Sequence, residues 1–564
     1  MKIYIKYIII TFSFFAFISA QENQYFSKNG MVVSASQLAS QVGVDIMKSG
    51  GNAIDAAVAT GFALAVTYPR AGNIGGGGFL VTHLTDGRDI TIDFREAAPA
   101  AANRDMYLNE NGTVIKDMSL FTHRAVGVPG SVAGLLTAWH FYGSTNISLK
   151  QLLKPAIVLA KNGFAISDRF SQDLNEYKSL FEKNNGANKV FIRADGNSWK
   201  AGDLLIQKDL SKTLQKIAKY EIDGFYSGKI AKLIIKEMQK GDGLITLKDL
   251  ESYNSKLRTP ITGTYKDFDI VSMGPPSSGG ILLVQMLNML EYFNIDSMEV
   301  NSADYIHLLT EIERRAYADR AEHLGDNDYW QVPIDMLTSK DYAKSRTESI
   351  SLQIATPSSD VFAGDPSAHE SRETTHYSVI DKDGNAVSVT TTLNTPFGSG
   401  IFVDGAGFFL NNEMDDFSVK PGTPNIYDVV GNDANSISPF KRPLSSMTPT
   451  IILKDNKPYI VIGSPGGSTI ITTVLQVILN VIEHKMDIAW AVSVPRVHSQ
   501  WLPDVIMTEP EAISDSLREI IISRGHKITP YKWGHIGSAN GILINENGYY
   551  GGPDPRRENS AIGY

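Results

Sequence analysis

A mixed fold of helices and strands is predicted by three features of the chain. Helical and strand-like patterns alternate from residue 85 to 345, and a compact strand-rich stretch runs from 374 to 564. Between them lies a Pro/Ser/Asp-rich segment, 354–373, that reads as an exposed linker. The chain's 564 residues suffice for one large α/β unit or several smaller ones. Its formal net charge of −9, without long basic runs, offers no phosphate-neutralising stripe, so no nucleic-acid partner is expected. The absence of cysteine excludes disulfides, thiolate metal sites and a catalytic thiol. None of the 11 histidines falls at metal-ligand spacing, and neither metal nor cofactor is expected.

Lys2 and Lys6 precede YIIITFSFFAFISA, an apolar run of 14 residues closing on Ser19-Ala20. A basic start, an apolar centre and small residues before Gln21 predict a cleaved export signal over 1–20. Fourteen residues are short against the roughly 20 that span a bilayer. No later segment is more apolar, so a soluble, periplasmic or secreted protein without a membrane span is expected.

VGVDIMKSGGN reads as a helix stopped by Gly50-Gly51. Asn52 then caps a second helix, AIDAAVATGFALAV, with Asp55 in its first turn. The four successive glycines of GNIGGGGF (72–79) demand either a tight backbone approach or a flexible loop. Without GK[ST] they make no phosphate loop. ITIDFREAAP (90–99) reads as a strand entering a loop, with Arg95 at its end. The clearest helix is SADYIHLLTEIERRAYADRAEHL (302–324), capped by Ser302 and ended by Gly325. Ile306, Leu309, Ile312 and Ala316 line one side of it, and its charges are expected on a solvated face.

TTHYSVI (374–380) and AVSVTTTL (386–393) are both strand-prone and flank DKDGN. A three-residue loop, Lys382-Asp383-Gly384, pairs Asp381 with Asn385 and so sets Thr374 opposite Thr392. A two-residue Asp-Gly turn would move the partner to Leu393. On pattern alone this is an ordinary hairpin with hydroxyls on one face. A threonine hydroxyl is a poor nucleophile unless a base is held beside it. At a chain's first residue the α-amine, with a reference pKa near neutrality, can be that base. Thr374 acquires such an amine only if the Glu373–Thr374 bond is broken.

TTHYSVIDKDGNAVSVTTTLN resembles the start of the small subunit of the γ-glutamyltranspeptidases, within the N-terminal nucleophile hydrolases. DFREAAP, AVGVPGSVAGL (125–135), GPPSSGG (274–280), LNNEMDDF (410–417), KRPLSSMTPT (441–450) and GSPGGS (463–468) resemble further blocks in the family's order. The likeness runs from about residue 27 to Tyr564.

This resemblance implies an α+β fold, a four-layer αββα sandwich built by both subunits of one autoprocessed precursor. It implies cleavage between Glu373 and Thr374 into a large chain, 21–373, and a small catalytic chain, 374–564. Thr374 would take the γ-glutamyl group from glutathione or another γ-glutamyl compound, and water or an amino acid or dipeptide acceptor would resolve the acyl-enzyme. Thr392 would hydrogen-bond the nucleophile, and the Gly466 and Gly467 amides would form the oxyanion hole. Arg95, with Ser445 and Ser446, would hold the substrate α-carboxylate. Asn394, Glu413 and Asp416 would receive its ammonium, and Tyr427 would gate the pocket from a lid at 421–435. Without the resemblance, each of these residues reads as a surface or turn position. The rival readings are a related acylase, a poly-γ-glutamate depolymerase, or an unprocessed binding homologue. Asp416 weighs against an acyl group that lacks the ammonium.

Overall fold

The computed structural model describes residues 25–362, 373–420 and 433–564. The export signal, residues 363–372 of the linker, and Tyr427 with most of the lid lie outside these residues.

Two seven-stranded sheets stack face to face. One contains, from edge to edge, Phe26–Ser27 (β1), Gly548–Pro553 (β13), Asn540–Asn545 (β12), Lys457–Gly463 (β11), Thr450–Lys454 (β10), Phe268–Ser272 (β7) and Ile261–Tyr265 (β6). The other contains Ser560–Gly563 (β14), Gly30–Ser34 (β2), Glu373–Asp381 (β8), Ala386–Asn394 (β9), Gly77–His83 (β3), Asp89–Asp93 (β4) and Lys256–Arg258 (β5). Helices Gln37–Lys48 (α1) and Ala53–Thr67 (α2) cover the outer face of the second sheet. Helices Gly279–Leu290 (α3), Ala303–His323 (α4) and Thr469–Ile482 (α5) form the layer over the first. This is the expected αββα sandwich. Strands from both sides of residue 373 alternate in it: β8 and β9 lie between β2 and β3.

Local chemistry accounts for the elements that carry the site. Asn52 accepts from the Asp55 amide, and Asp55 accepts from the Asn52 amide, so α2 starts in a capping box. Its alanine-rich body is buried along its whole length. The glycine run is a close backbone approach. A Cβ at Gly76 would sit 2.0 Å from the Thr392 carbonyl oxygen, and one at Gly78 2.3 Å from that of Thr390. The hairpin closes as the three-residue loop requires, with Gly384 at φ 95° and the Asp381 amide donating to the Asn385 carbonyl.

Two expectations are corrected. The charges of α4 are not on a solvated face: Glu311, Glu313, Arg314, Arg315, Asp319 and Arg320 are all buried. Ionisable side chains go inside only when paired, hydrogen-bonded or neutralised, and burial raises Glu313 well above its ordinary range. Arg314 and Arg315 grip Glu311 at 2.5 and 2.7 Å, and Glu313 accepts the Ser499 amide. The first part of the linker is also anchored, although Ile354 and Phe362 project outward. Thr356 donates to Glu311 from both its amide and its hydroxyl, and the Ser358 hydroxyl donates to the Trp501 carbonyl.

Candidate active site

Side chains alternate between the two faces of a strand, and β8 uses one face for the core and the other for chemistry. Tyr377 and Val379 enter the core beneath the helices. His376 and Ser378 face the opposite sheet: a Cβ at Gly463 would touch the His376 ring, and Ser378 donates to the Val461 and Asn540 carbonyls. Thr374 shares that face, two residues before His376, and is therefore directed at the turn following Gly463. That turn holds Gly466 and Gly467 at φ 143° and 61°, before α5. Neither glycine N–H donates to a group among the described residues. Such a turn can offer two amides to one oxygen.

The ladder sets Thr374 opposite Thr392, as the loop length predicts. Thr392 Oγ1 accepts the Asn394 amide at 2.7 Å. The register then shifts between Glu373 and Thr374, because Glu373 pairs with Asn394 and Leu393 is skipped. A break in register thus falls on the expected cleavage bond. Asn394, at φ 79°, takes a left-handed conformation as β9 ends. His376 is structural. It bonds Thr390 and Ser378, and burial depresses its pKa to about 3, leaving a neutral ring.

The second half of the site is a buried cluster around Arg95. Its Nη1 lies 2.7 Å from Glu413 and 3.6 Å from Glu96, while Nη2 pairs with Asp416. Nε and Nη2 also donate to the Pro443 and Leu444 carbonyls, drawing the Ser445-Ser446 turn alongside. Ser445 Oγ accepts the Met447 amide. Ser446 Oγ is buried and has no hydrogen-bond partner among the described residues. The structure therefore brings Arg95, Glu413, Asp416, Ser445 and Ser446 together. It differs from the expectation in pairing Arg95 with the two acids assigned to the ammonium. A zwitterion can enter this pairing by exchange: its carboxylate replaces Asp416 on the guanidinium, and its ammonium replaces Arg95 on Asp416.

Three carboxyl groups share direct contact with the Arg95 guanidinium, so acid is in excess within the contact shell, while Arg442 acts on Glu96 and Arg320 on Asp416 as further positive charges. Burial raises Glu413 well above its ordinary range and raises Asp416 as well, with Arg95 opposing both shifts. Burial also pushes Glu96 up to about 8. The folded protein thus holds protons here that the unfolded chain, with Glu96 near its ordinary 4.5, releases. This contribution to stability is complete below pH 4.5 and is lost as the pH rises to 8. In Glu96→Gln the fall of the unfolding free energy between pH 5 and 8 should flatten, by up to about 1.4 kcal/mol per pH unit. An unchanged slope would remove Glu96 from the proton balance.

Three residues of the site escaped sequence reading. Glu96 follows Arg95 and looked like a loop acid. Asn73, inside the glycine run, donates to the Thr392 carbonyl at 2.8 Å and the Thr391 hydroxyl at 3.2 Å, and accepts from Ser131 at 2.7 Å. Asn411 donates to the Gly75 and Gly127 carbonyls, both at 2.9 Å, and suspends the loop carrying Glu413 and Asp416. A polar amide beside a glycine run, or an Asn-Asn pair before acidic residues, was the available signal.

Comparison with known proteins agrees with this geometry. The sequence profile of the family described as gamma-glutamyltranspeptidase matches residues 39–564. The glutathione hydrolase proenzyme of Escherichia coli K12 is 49% identical over 531 residues, covering 94% of this chain and 91% of its own. The solved Helicobacter pylori gamma-glutamyltranspeptidase superposes with a TM-score of 0.57 at 46% identity, over 58% of this chain and 93% of that one. A cephalosporin acylase from Bacillus halodurans covers 99% of both chains with a TM-score of 0.82, but at 24% identity it shares the fold alone.

Proposed function

The chain belongs to the γ-glutamyltranspeptidase family and is a γ-glutamyltransferase and glutathione hydrolase; on that premise we propose which residues carry the reaction. The precursor is cut between Glu373 and Thr374, leaving a large chain of 21–373 and a small chain of 374–564 that remain together. The new α-amine of Thr374 accepts the proton of its own hydroxyl as Oγ attacks the γ-carbonyl carbon of the donor. The oxygen of that carbonyl, now negative, is received by the Gly466 and Gly467 amides. As the tetrahedral adduct collapses, the C–N bond breaks and the leaving amine takes the proton. Water, or the amine of an amino acid or dipeptide, then attacks the acyl ester and frees Thr374.

Thr392 steadies the hydroxyl from the facing strand. Arg95 takes the donor's α-carboxylate in a two-pronged contact, with Ser445 and Ser446 as further donors. Asp416 and Glu413, with the Asn394 amide group nearby, take the ammonium. Tyr427 is assigned to the lid over this pocket. The assignment is supported most by the buried, acid-rich Arg95 cluster, together with Thr374 standing opposite Thr392 at the head of its strand. An acylase handling an acyl group without an ammonium has no use for that excess of acid.

The basic and apolar segments of 1–20 support export to the periplasm or beyond the cell. Among the described residues no helix is long and apolar enough to cross a membrane.

The test is to express the chain, separate it on a denaturing gel, sequence the smaller band from its N-terminus and assay γ-glutamyl-p-nitroanilide. Two bands, the smaller starting at Thr374, with release of p-nitroaniline are expected. A single band without turnover sinks the proposal.

A further inference from the structure

Two adjacent glycines form the most pliable link a chain can hold, yet an oxyanion hole works only when its amides are aimed in advance. The Gly466-Gly467 turn therefore needs something that fixes its peptide planes. A peptide unit is planar, and in the trans form its C=O and N–H point in opposite directions. Whatever grips the carbonyl of one residue thus aims the amide of the next.

Both carbonyls in question are gripped by hydroxyl groups, and both peptide bonds are trans. The Pro465 carbonyl shares a plane with the Gly466 N–H and accepts from Ser464 Oγ at 2.6 Å. The Gly466 carbonyl shares a plane with the Gly467 N–H. It accepts from Thr469 Oγ1 at 2.8 Å and from the Thr469 amide at 3.3 Å. Ser464 and Thr469 are both buried. Ser464 is held in turn, because its Oγ accepts the Ser538 amide at 2.9 Å and so turns its proton to Pro465. Gly537 closes the turn from behind: a Cβ on Gly466 would come within 3.2 Å of Gly537 Cα, and one on Gly537 within 2.8 Å of Ser464 Oγ. A hydrogen bond accepted by a carbonyl also polarises its peptide unit, which strengthens the N–H at the other end as a donor.

Resting on the assignment of these two amides above, we infer that Ser464 and Thr469 are positioning residues of the oxyanion hole, Ser464 for the Gly466 amide and Thr469 for the Gly467 amide. Neither touches the substrate. Each acts through the carbonyl it holds: without the hydroxyl the peptide plane can swing, and its amide meets the developing negative charge off line. Bond making and breaking remain with Thr374.

Thr469→Val keeps the shape of the side chain and removes the hydroxyl. With γ-glutamyl-p-nitroanilide, and with rates counted per processed chain, kcat and kcat/KM should both fall about tenfold. That is less than the roughly 10²–10³-fold that follows loss of an oxyanion donor itself. The glutamate analogue carrying a boronic acid in place of the γ-carboxyl group forms a tetrahedral adduct on a hydroxyl, and its affinity should fall by the same factor. Thr469→Ser, which keeps the hydroxyl, should restore both. Ser464→Ala asks the same of the Gly466 amide and serves if the Val variant fails to process. Unaltered rates, rate losses unmatched by the boronate affinity, or a Ser variant as poor as the Val variant would overturn the inference. Absence of hydrolysis in the parent strikes at the γ-glutamyl reading instead, whereas an active parent with equally active variants strikes only at the two hydroxyl groups.

Discussion

Thr374→Ala should give one uncut chain and no detectable turnover. The substitution removes the atom assigned both to open the Glu373–Thr374 bond and to accept the γ-glutamyl group, so two functions vanish together. The loss in kcat should be on the order of 10³-fold or more, because removal of a nucleophile is not compensated by the groups around it. Stability should barely move: one hydroxyl and one methyl are lost at the end of a strand whose ladder is otherwise intact, a change of about 1 kcal/mol. The readouts are a denaturing gel, the anilide assay and a thermal melt of the same preparation. Two bands, or activity above that of a mock preparation, would eliminate Thr374 as the nucleophile. Thr374→Ser, which keeps the hydroxyl, should still be cut, though more slowly.

Arg95→Leu should damage both the protein and its substrate recognition. The variant leaves Glu96, Glu413 and Asp416 buried around an apolar side chain, without the guanidinium that contacts all three. Breaking a buried pair by deleting one partner costs on the order of 3–5 kcal/mol, moderated here by the protons the raised carboxyl groups already hold. The donor also loses its carboxylate contact, so kcat/KM for γ-glutamyl-p-nitroanilide should fall by about 10²-fold or more. A donor lacking the α-carboxylate, 4-aminobutyryl-p-nitroanilide, separates the two effects. The parent should discriminate strongly against it, and Arg95→Leu should not. Arg95→Lys should restore the charge but not the two-pronged geometry, and so recover stability before activity. Retained discrimination in Arg95→Leu would move the carboxylate site elsewhere.

Sequence resolved best what short-range chemistry decides. The Thr374–Thr392 register followed from one turn, because loop length fixes pairing and a period of two carries it along both strands. The helix caps at Asn52 and Ser302 were equally local. What escaped depends on distant partners. The charges on α4 look solvated until Ser499, some 190 residues away, supplies an amide to Glu313. The Arg95–Asp416 pairing joins residues 321 apart, and each alone reads as an ordinary polar position. The break in register at Glu373 requires that Leu393 be skipped, and no residue type signals that. The family resemblance nominated these residues for a site, but not the pairing of Arg95 with Glu413 and Asp416 in the folded protein.

The alternation of strands across residue 373 bears on how the protein can be made. While the chain is continuous, the β8–β9 hairpin is covalently tethered to the strands it slots between, so its pairing is intramolecular. Hydrolysis at the proposed Glu373–Thr374 bond would abolish that tether. Assembly before the cut is unimolecular; reassembly after unfolding is a second-order encounter between two fragments. Each fragment would expose unpaired sheet edges prone to aggregation in the meantime. Proteolysis therefore acts as a ratchet: recovery after denaturation should depend on dilution for the processed enzyme but not for its Thr374→Ala precursor.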